Sequence, residues 1–247
     1  MSTFVLIHGG WHASWCWSRL SPLLTQCGHR VVAPDLPAHG SDVTPLTGRP
    51  YEQYVPHVRG ILDRLETPAI LVGHSSGGMI ISEIAALRPE QALALVYVSA
   101  FLLPAGKTPG DAMKVDDTSM LPASLAVDAS RGVSIVKPEC ARAVFYEDCA
   151  EEWAAWAVRQ LQPEPLIPAG TPRDFPKAAA SPPRFYIECL QDKALGLRAQ
   201  RWMYGETPCR SVFSLASGHS PFLSAPKALA GCLIDIEARV REPGVKN

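Results

Sequence analysis

Short apolar runs alternate along the chain with longer segments whose apolar residues recur every three or four positions. The runs predict strands at Phe4–His8, Arg30–Ala33, Ala69–Gly73, Ala94–Ser99, Arg184–Glu188 and Arg210–Leu215. The amphipathic segments predict helices at Ser14–Gln26, Tyr51–Leu65, Met79–Leu87, Leu195–Tyr204 and Pro226–Arg239. Because apolar strands separated by helices are typical of a parallel sheet covered on both faces, the pattern predicts an α/β fold.

This alternation stops between Pro104 and Pro183. The 80 residues of that segment hold eleven of the 23 prolines and no convincing strand, and within it Glu139–Gln162 has the pattern of one amphipathic helix. The apolar members of this helix are Val144, Phe145, Cys149, Trp153, Trp156 and Leu161. Because the segment is too long for an ordinary loop, we predict a helical cap at 104–183 on a core of 1–103 and 184–247. Insertions over the carboxyl ends of parallel strands are where ligands bind.

Composition narrows the classes of partner. The 247 residues are 47% hydrophobic and 19% charged with a net charge of -1, which suits a globular protein and gives no reason to expect nucleic acid or a membrane as partner. No apolar run approaches the length of a membrane span or of a signal-peptide core, so we expect a cytoplasmic protein. A homodimer is left open. The seven cysteines, an odd number without a C-x-x-C pair, predict reduced thiols and no zinc site.

The stretch VGHSSGG, residues 72–78, places several glycines where a predicted strand meets a predicted helix. Glycine weakens both kinds of element, so the junction needs an unusual backbone. Strand, G-x-S-x-G and helix in this order form the pattern of a nucleophile elbow, in which a sharp turn exposes a serine hydroxyl. Ser75 is therefore the predicted nucleophile. A glycine-rich turn without chemistry is the alternative, and the flanking strand and helix disfavour it.

A serine hydroxyl becomes an effective nucleophile only beside a base that a third group orients. After an elbow of this kind, the acid and then the histidine follow in the sequence. His219, in LASGHSPF, is the only histidine after Ser75, and it follows the last predicted strand. The segment RFYIECLQDKALG offers Asp192 in the turn after a strand and Glu188 inside that strand. We favour Asp192 as the acid, with Glu188 as the second choice.

An oxyanion hole needs two N–H groups directed at the reacting carbonyl oxygen, each of which lowers the barrier by about 3 kcal/mol. In an elbow one of them belongs to the residue after the nucleophile, here Ser76. The other is expected from the loop after the first strand, HGGW, where a glycine lets the backbone approach the substrate closely. Gly10 and Ser76 are therefore the predicted oxyanion hole.

These motifs resemble those of the α/β-hydrolase superfamily, and more narrowly its branch of plant methyl esterases, plant hydroxynitrile lyases and small bacterial carboxylesterases. FVLIHGGWHASWCWSRLSPLL is similar to the opening strand, oxyanion loop and first helix of that branch. YIECLQDKALGLRAQRWM is similar to its acid-bearing segment and SGHSPF to its histidine loop. The resemblance covers the chain and implies an α/β-hydrolase fold, Asp192 as the triad acid, and neither a metal nor an organic cofactor.

The resemblance also implies ester hydrolysis through an acyl-enzyme on Ser75, with a hydroxynitrile lyase as the rival activity. The lyases of this branch carry threonine in the oxyanion loop, glutamate just before the nucleophile and lysine just after the histidine. Here those positions are Gly9, His74 and Ser220, so a serine carboxylesterase is favoured. A receptor-like protein that binds a ligand under the cap is the non-catalytic alternative, which the complete triad disfavours.

Residues beside these motifs are predicted to contact a small-molecule ester substrate. They are Gly9, Trp11 and His12 of the oxyanion loop, Phe101 and Leu102 after a strand, Ala194 and Leu195 after the acid, and Trp153 and Trp156 of the cap. Aromatic residues at helical spacing are more often plain core, which is the alternative for the two cap tryptophans. Because the cap should limit the cavity, we predict small to medium esters with a short acyl chain or a compact aromatic acid.

Overall fold

The computed structural model describes residues 1–45, 50–166 and 181–241, to which all structural statements below refer. The strands are β1 Thr3–Ile7, β2 Arg30–Val32, β3 Ala69–His74, β4 Ala92–Val98, β5 Leu125–Asp128, β6 Val133–Val136, β7 Glu164–Pro165, β8 Arg184–Cys189 and β9 Ser211–Leu215. Six of these form one sheet in the order β2-β1-β3-β4-β8-β9, with every adjacent pair parallel. These six correspond to the six predicted strands.

Helices connect the strands of this sheet. They are α1 Ser21–Gln26, α2 Tyr54–Leu62, α3 Gly77–Leu87, α4 Pro109–Val115, α5 Leu121–Ser124, α6 Pro138–Phe145, α7 Glu151–Gln160, α8 Leu197–Glu206, α9 Pro221–Ser224 and α10 Pro226–Arg241, with 3₁₀ turns at Ser14–Arg19, Pro50–Gln53 and Pro89–Gln91. The predicted helix Ser14–Gln26 divides into a 3₁₀ turn and α1. Pro22 lies in the first turn of α1, where its missing N–H is tolerated, whereas it would break the interior of a longer helix.

The central strands are buried on both faces because nearly all of their side chains are apolar. Every residue of β1 and β3 is buried. One face packs against α1, α9 and α10 through a cluster that includes Trp17 and Phe222. The other face packs against α2, α3 and α8 through a cluster that includes Ile81 and Met203. With both faces covered, the loops at the carboxyl edge of the sheet are where a ligand site is expected.

The cap, here the described residues 104–166, differs from the prediction in two ways. The single helix predicted at Glu139–Gln162 is wrong, because α6 ends at Phe145 and α7 begins at Glu151. The residues between the two helices bond to distant parts of the core. The Tyr146 hydroxyl bonds to His12, and Asp148 accepts the backbone N–H of Gly218. The expectation of no strand is also wrong, because β5, β6 and β7 form a small antiparallel sheet.

The cap strands were missed because they have only four, four and two residues, too few for a hydrophobic period to be visible. Apolar side chains of α6 and α7, among them Phe145 and Ala154, join the cluster on the α10 face of the sheet. Residues 167–180 of the predicted cap and 242–247 of the predicted core lie outside the described ranges. Among the described helices, none combines the length and the hydropathy that a membrane span requires.

Candidate active site

Ser75 follows β3 directly and occupies a strained turn. Its φ of +52° lies in the left-handed region that non-glycine residues rarely adopt. The turn is tight because α3 begins at once and packs against β1: a Cβ on Gly77 would lie 2.7 Å from the Ile7 carbonyl oxygen. The Ser75 carbonyl accepts the N–H groups of Gly78 at 3.1 Å and Phe101 at 3.0 Å, which stabilises this geometry. The structure therefore has the elbow that the motif predicted.

His219 and Asp192 lie in loops at the same edge of the sheet, after β9 and β8 respectively. The two side chains are buried, and His219 Nδ1 lies 2.7 Å from Asp192 Oδ2. Because an ionised carboxylate only accepts hydrogen bonds, Nδ1 is the protonated nitrogen of the neutral ring. Nε2 then carries the lone pair that a general base requires.

Asp192 is held by donors from three segments of the core. Its Oδ1 accepts the backbone N–H groups of Ala194 at 2.7 Å and Leu195 at 2.9 Å. Its Oδ2 accepts the Ser99 hydroxyl in addition to His219, and Gln200 Nε2 lies 3.4 Å away. These donors fix the orientation of the buried carboxylate towards His219.

The runner-up acid, Glu188, has different partners. Its carboxylate accepts hydrogen bonds from Arg201 at 3.1 and 3.2 Å, from the Tyr204 hydroxyl at 2.9 Å and from the Ser214 hydroxyl at 2.8 Å. These bonds join α8 to β8 and β9, and they hold the pKa of Glu188 below its ordinary value although partial burial acts in the opposite direction. Of the two candidate acids, only Asp192 contacts His219 among the bonds that the described residues make.

His74, the residue before the nucleophile, hydrogen-bonds to the main chain of the loop that carries His219. Its Nε2–H donates to the His219 carbonyl oxygen at 2.8 Å, and the two ring centroids are 4.5 Å apart. Burial, assisted by the neighbouring His219, lowers the pKa of His74 well below its ordinary value. His74 is therefore a neutral ring that positions the main chain of the predicted general base.

The oxyanion loop, residues 9–11, lies directly against the elbow. A Cβ on Gly9 would be 2.7 Å from Ser75 Cβ and 2.9 Å from His74 Nδ1, so no larger side chain fits here without movement. Within the described part of the chain, the backbone N–H groups of Gly10 and Ser76 donate to no other atom. Both predicted oxyanion donors are thus without an acceptor among the residues that the structure describes.

His12 holds this loop from the opposite side. Its Nδ1–H donates to the Gly10 carbonyl at 2.8 Å, which leaves Nε2 to accept the Tyr146 hydroxyl at 2.8 Å. Complete burial lowers the pKa of His12 to about 3, so the ring is neutral and both of its nitrogens are satisfied. These contacts join the cap to the Gly10 peptide; they do not by themselves indicate that His12 touches substrate.

The other predicted substrate contacts divide into two groups. Four of them are buried, namely Phe101, Leu102, Ala194 and Leu195. The backbone N–H of Phe101 bonds to the Ser75 carbonyl, and those of Ala194 and Leu195 bond to Asp192. Trp153 and Trp156 instead pack against each other and against the core, with Trp156 edge-on to Trp15 at 5.2 Å and Arg19 over Trp153 at 4.7 Å. Their described contacts fit the alternative of plain core.

Several residues of this region were not predicted from the sequence to belong to the site. Ser99 directly follows β4, has a φ of +41° and bonds to Asp192. Phe145 of the cap lies 5.5 Å from the His219 ring and 5.9 Å from the Trp11 ring, measured between centroids. Glu164 of β7 accepts the Trp11 N–H at 2.9 Å. No local pattern marks these residues, because each is defined by a contact with a distant part of the chain.

Comparison with known proteins places this arrangement among hydrolases. A model of the alpha/beta hydrolase family matches residues 4–231. The chain is 33% identical over 251 aligned positions to a pyrethroid hydrolase of Sphingobium wenxiniae, covering 95% of this chain and 87% of that protein. It is 30% identical over 247 positions to methylesterase 17 of Arabidopsis thaliana, covering 94% and 90%. A crystal structure of a pyrethroid hydrolase superimposes with a TM-score of 0.86 at 32% identity, covering 98% and 99%.

Proposed function

This chain belongs to the alpha/beta hydrolase family and is a carboxylic ester hydrolase, and from that premise we propose that Ser75, His219 and Asp192 are its catalytic triad. The observation that carries the proposal is the buried bond of 2.7 Å between His219 Nδ1 and Asp192 Oδ2, at the sheet edge where the strained Ser75 turn ends β3. This is the orientation that a serine esterase requires of its base and acid.

In the proposed reaction, the Ser75 hydroxyl attacks the ester carbonyl carbon while His219 Nε2 accepts its proton. Asp192 stabilises the imidazolium through Nδ1–H, and the Gly10 and Ser76 N–H groups bind the oxyanion. His219 then protonates the departing alcohol, which leaves an acyl group on Ser75. Water repeats the sequence, releasing the carboxylic acid and restoring the hydroxyl. Each step uses side chains and peptide groups alone, without metal or cofactor.

Three positions disfavour cyanohydrin cleavage. A threonine at Gly9 would place its Cβ 2.7 Å from Ser75 Cβ, so the lyase-type oxyanion loop does not fit this elbow. His74 is neutral and donates to the main chain of His219, where the lyases have a glutamate. Ser220 offers no positive charge to a departing cyanide. Ester hydrolysis is the activity that these side chains favour.

The proposed substrates are small to medium carboxylic esters with a short acyl chain or a compact aromatic acid. The aromatic ring of Phe145 supports this class because it packs beside both the His219 ring and the oxyanion-loop residue Trp11. The relatives named above are a pyrethroid hydrolase and a methylesterase, names that both denote hydrolysis of small molecules. The cytoplasmic location and a homodimeric state stay predictions.

The test is the initial rate on p-nitrophenyl acetate and butyrate for wild type and Ser75→Ala, with release of cyanide from mandelonitrile measured in parallel. We expect the ester rate of Ser75→Ala to fall by about 10⁴-fold or more, as in other triads. Ser82→Ala is the matched control, because within the described ranges the Ser82 hydroxyl bonds to the Gly78 carbonyl and the Tyr97 hydroxyl, in α3 and β4, and to no triad residue.

Several outcomes would contradict part or all of the proposal. Equal ester rates in wild type and Ser75→Ala would remove Ser75 from the reaction, and cyanide release without ester hydrolysis would favour the lyase. Turnover of long-chain triglycerides without turnover of short esters would leave the triad intact but contradict the substrate class. A stoichiometric complex with an ester that is never hydrolysed would favour a receptor-like role.

A further inference from the structure

A second buried acid–histidine pair lies beside the triad. His39, in the loop after β2, has its Nε2 2.8 Å from Glu164 Oε2, and both side chains are buried. Its Nδ1 lies 3.1 Å from the Pro37 carbonyl oxygen, which can only accept. Since both ring nitrogens face acceptors, the arrangement suits an imidazolium paired with a carboxylate.

The charges around His39 favour this protonated state. Burial lowers the pKa of His39, but the Glu164 carboxylate and the bond to the Pro37 carbonyl act in the opposite direction, and the pKa lies above its ordinary value. Asp35 contributes in the same direction, whereas His8, whose ring is 5.3 Å away, is itself neutral with a pKa of about 3. The Tyr54 hydroxyl, 3.4 Å from Nδ1, completes the polar groups that the structure places against this ring.

The carboxylate of this pair also reaches the oxyanion loop. The oxygen that binds His39 accepts the Trp11 N–H at 2.9 Å. Trp11 has a φ of +61°, a left-handed conformation that a non-glycine residue keeps only when its surroundings impose it. On the other side of the same residue, the Trp11 carbonyl accepts the Gln162 N–H at 2.9 Å. The last segment of the cap therefore fixes both peptide groups of Trp11.

Glu164 is also in contact with Gly10, the proposed oxyanion donor. A Cβ on Gly10 would be 3.4 Å from the Glu164 carboxyl group. An unpaired negative charge so close to the oxyanion would oppose the charge that develops in the transition state. Paired with a positive His39, the carboxylate can hold the loop without that opposing field.

We propose that Glu164 and His39 are positioning residues for ester hydrolysis, which hold the backbone of Gly10 and Trp11 in the conformation that directs the Gly10 N–H at the oxyanion. The inference rests on the proposed function of Gly10 and of the triad. Neither residue touches the reacting atoms. Glu164 acts through its bond to the Trp11 N–H, and His39 acts by neutralising and orienting Glu164. The cap thus contributes to catalysis as well as to the shape of the site.

The test compares kcat and KM of Glu164→Ala and Glu164→Gln with wild type on p-nitrophenyl butyrate. We expect Glu164→Ala to lower kcat by about 10- to 100-fold with little change in KM, because a loop shift below 1 Å weakens transition-state binding selectively. Glu164→Gln should recover most of that loss, since its amide oxygen can take the place of Oε2 and accept both the Trp11 N–H and the Nε2–H of a neutral His39. A trifluoromethyl ketone, which forms a tetrahedral adduct, should bind Glu164→Ala more weakly by a similar factor.

Glu237→Ala is the matched control. Glu237 is also a buried glutamate, which accepts the Ser2 hydroxyl at 2.7 Å and pairs with Arg241 in α10, away from the oxyanion loop. A general loss of stability would affect both alanine variants, whereas the fall in kcat is expected only for Glu164→Ala. If Glu164→Ala does not fold, His39→Asn removes the positive charge instead and is expected to lower kcat in the same way.

Equal kcat in folded Glu164→Ala and Glu237→Ala would overturn the inference while leaving the triad in place. The inference would also be overturned if kcat of Glu164→Gln were as low as that of Glu164→Ala. The bond to the Trp11 N–H, which the glutamine can keep, would then not explain the loss. A wild-type protein without Ser75-dependent ester turnover would overturn the proposed function, and this inference with it. The two failures are therefore distinguishable in one set of assays.

Discussion

Replacing Gly9 by alanine tests the contact between the oxyanion loop and the elbow most directly. The added methyl group would lie 2.7 Å from Ser75 Cβ and 2.9 Å from His74 Nδ1, with the His74 carbonyl oxygen at 3.2 Å. Non-bonded carbon atoms are normally about 3.5–4.0 Å apart, so the loop or the serine must move by about 1 Å. The φ of Gly9 is outside the left-handed region, so this contact is the only source of strain that the substitution adds.

The magnitude follows from that displacement. A misplacement of about 1 Å among reacting groups lowers an enzymatic rate by about 100-fold. This factor corresponds to about 2.7 kcal/mol of activation free energy, close to the loss of one oxyanion donor. We therefore expect Gly9→Ala to lower kcat/KM for p-nitrophenyl acetate by about 100-fold, with most of the change in kcat.

The assay is steady-state hydrolysis at one pH, with the fold checked by circular dichroism and thermal unfolding. Gly231→Ala is the matched control, because Gly231 lies in α10 and a Cβ there meets no atom within 4 Å. This control should keep the wild-type rate and gain about 0.5–1 kcal/mol in stability, as alanine is the better helix former. A folded Gly9→Ala enzyme whose kcat/KM stays within about threefold of wild type would refute the reasoning.

Two further predictions concern the buried carboxylates. Ser99→Ala should lower kcat by about tenfold and the free energy of unfolding by about 2 kcal/mol, because it removes a hydroxyl that donates to the buried Asp192 carboxylate. Kinetics and urea unfolding measure the two effects, and an unchanged kcat would show that the other donors to Asp192 suffice. Glu164→Gln should destabilise the protein by about 2 kcal/mol near pH 6, and this difference should shrink as the pH rises through the raised pKa of His39.

The sign of the pH effect follows from the protonated form of His39. A group whose pKa is higher in the folded state contributes stability below its unfolded pKa of about 6.5, and that contribution is lost as the pH passes the folded value. Urea unfolding of wild type and Glu164→Gln at about pH 6 and about pH 9 measures the difference. A difference that is constant or grows towards high pH would contradict a charged His39–Glu164 pair.

The local geometry of the candidate site could be predicted from the sequence because it depends on single junctions between elements. G-x-S-x-G after an apolar strand predicted the Ser75 turn, and the structure has that turn with its positive φ. The order of serine, acid and histidine along the chain, together with the strand ends, predicted that Asp192 and His219 would meet. Parallel strands have their carboxyl ends at one edge of the sheet. Residues that directly follow such strands are therefore expected to lie close together.

The interior of the cap could not be read in this way. The predicted helix Glu139–Gln162 has a continuous apolar period, yet it breaks at Tyr146 because that hydroxyl bonds to His12, 134 residues earlier in the chain. The strands β5 to β7 are too short for an alternating pattern, and they form only because they pair with one another. Periodicity describes which face of an element is apolar and carries no information about such bonds.

The amino-acid sequence by itself determined the strands and helices of the core, the elbow and the three triad candidates, since each depends on a local pattern of apolar residues, glycines and strand ends. Only the tertiary structure showed which other residues contact the triad candidates and the oxyanion loop. Trp11 and Glu164 are 153 positions apart, and His39 and Glu164 are 125 apart. Their contact requires the cap to pack against the loops at the sheet edge, where the Glu164 carboxylate raises the pKa of His39 above its ordinary value although burial lowers it.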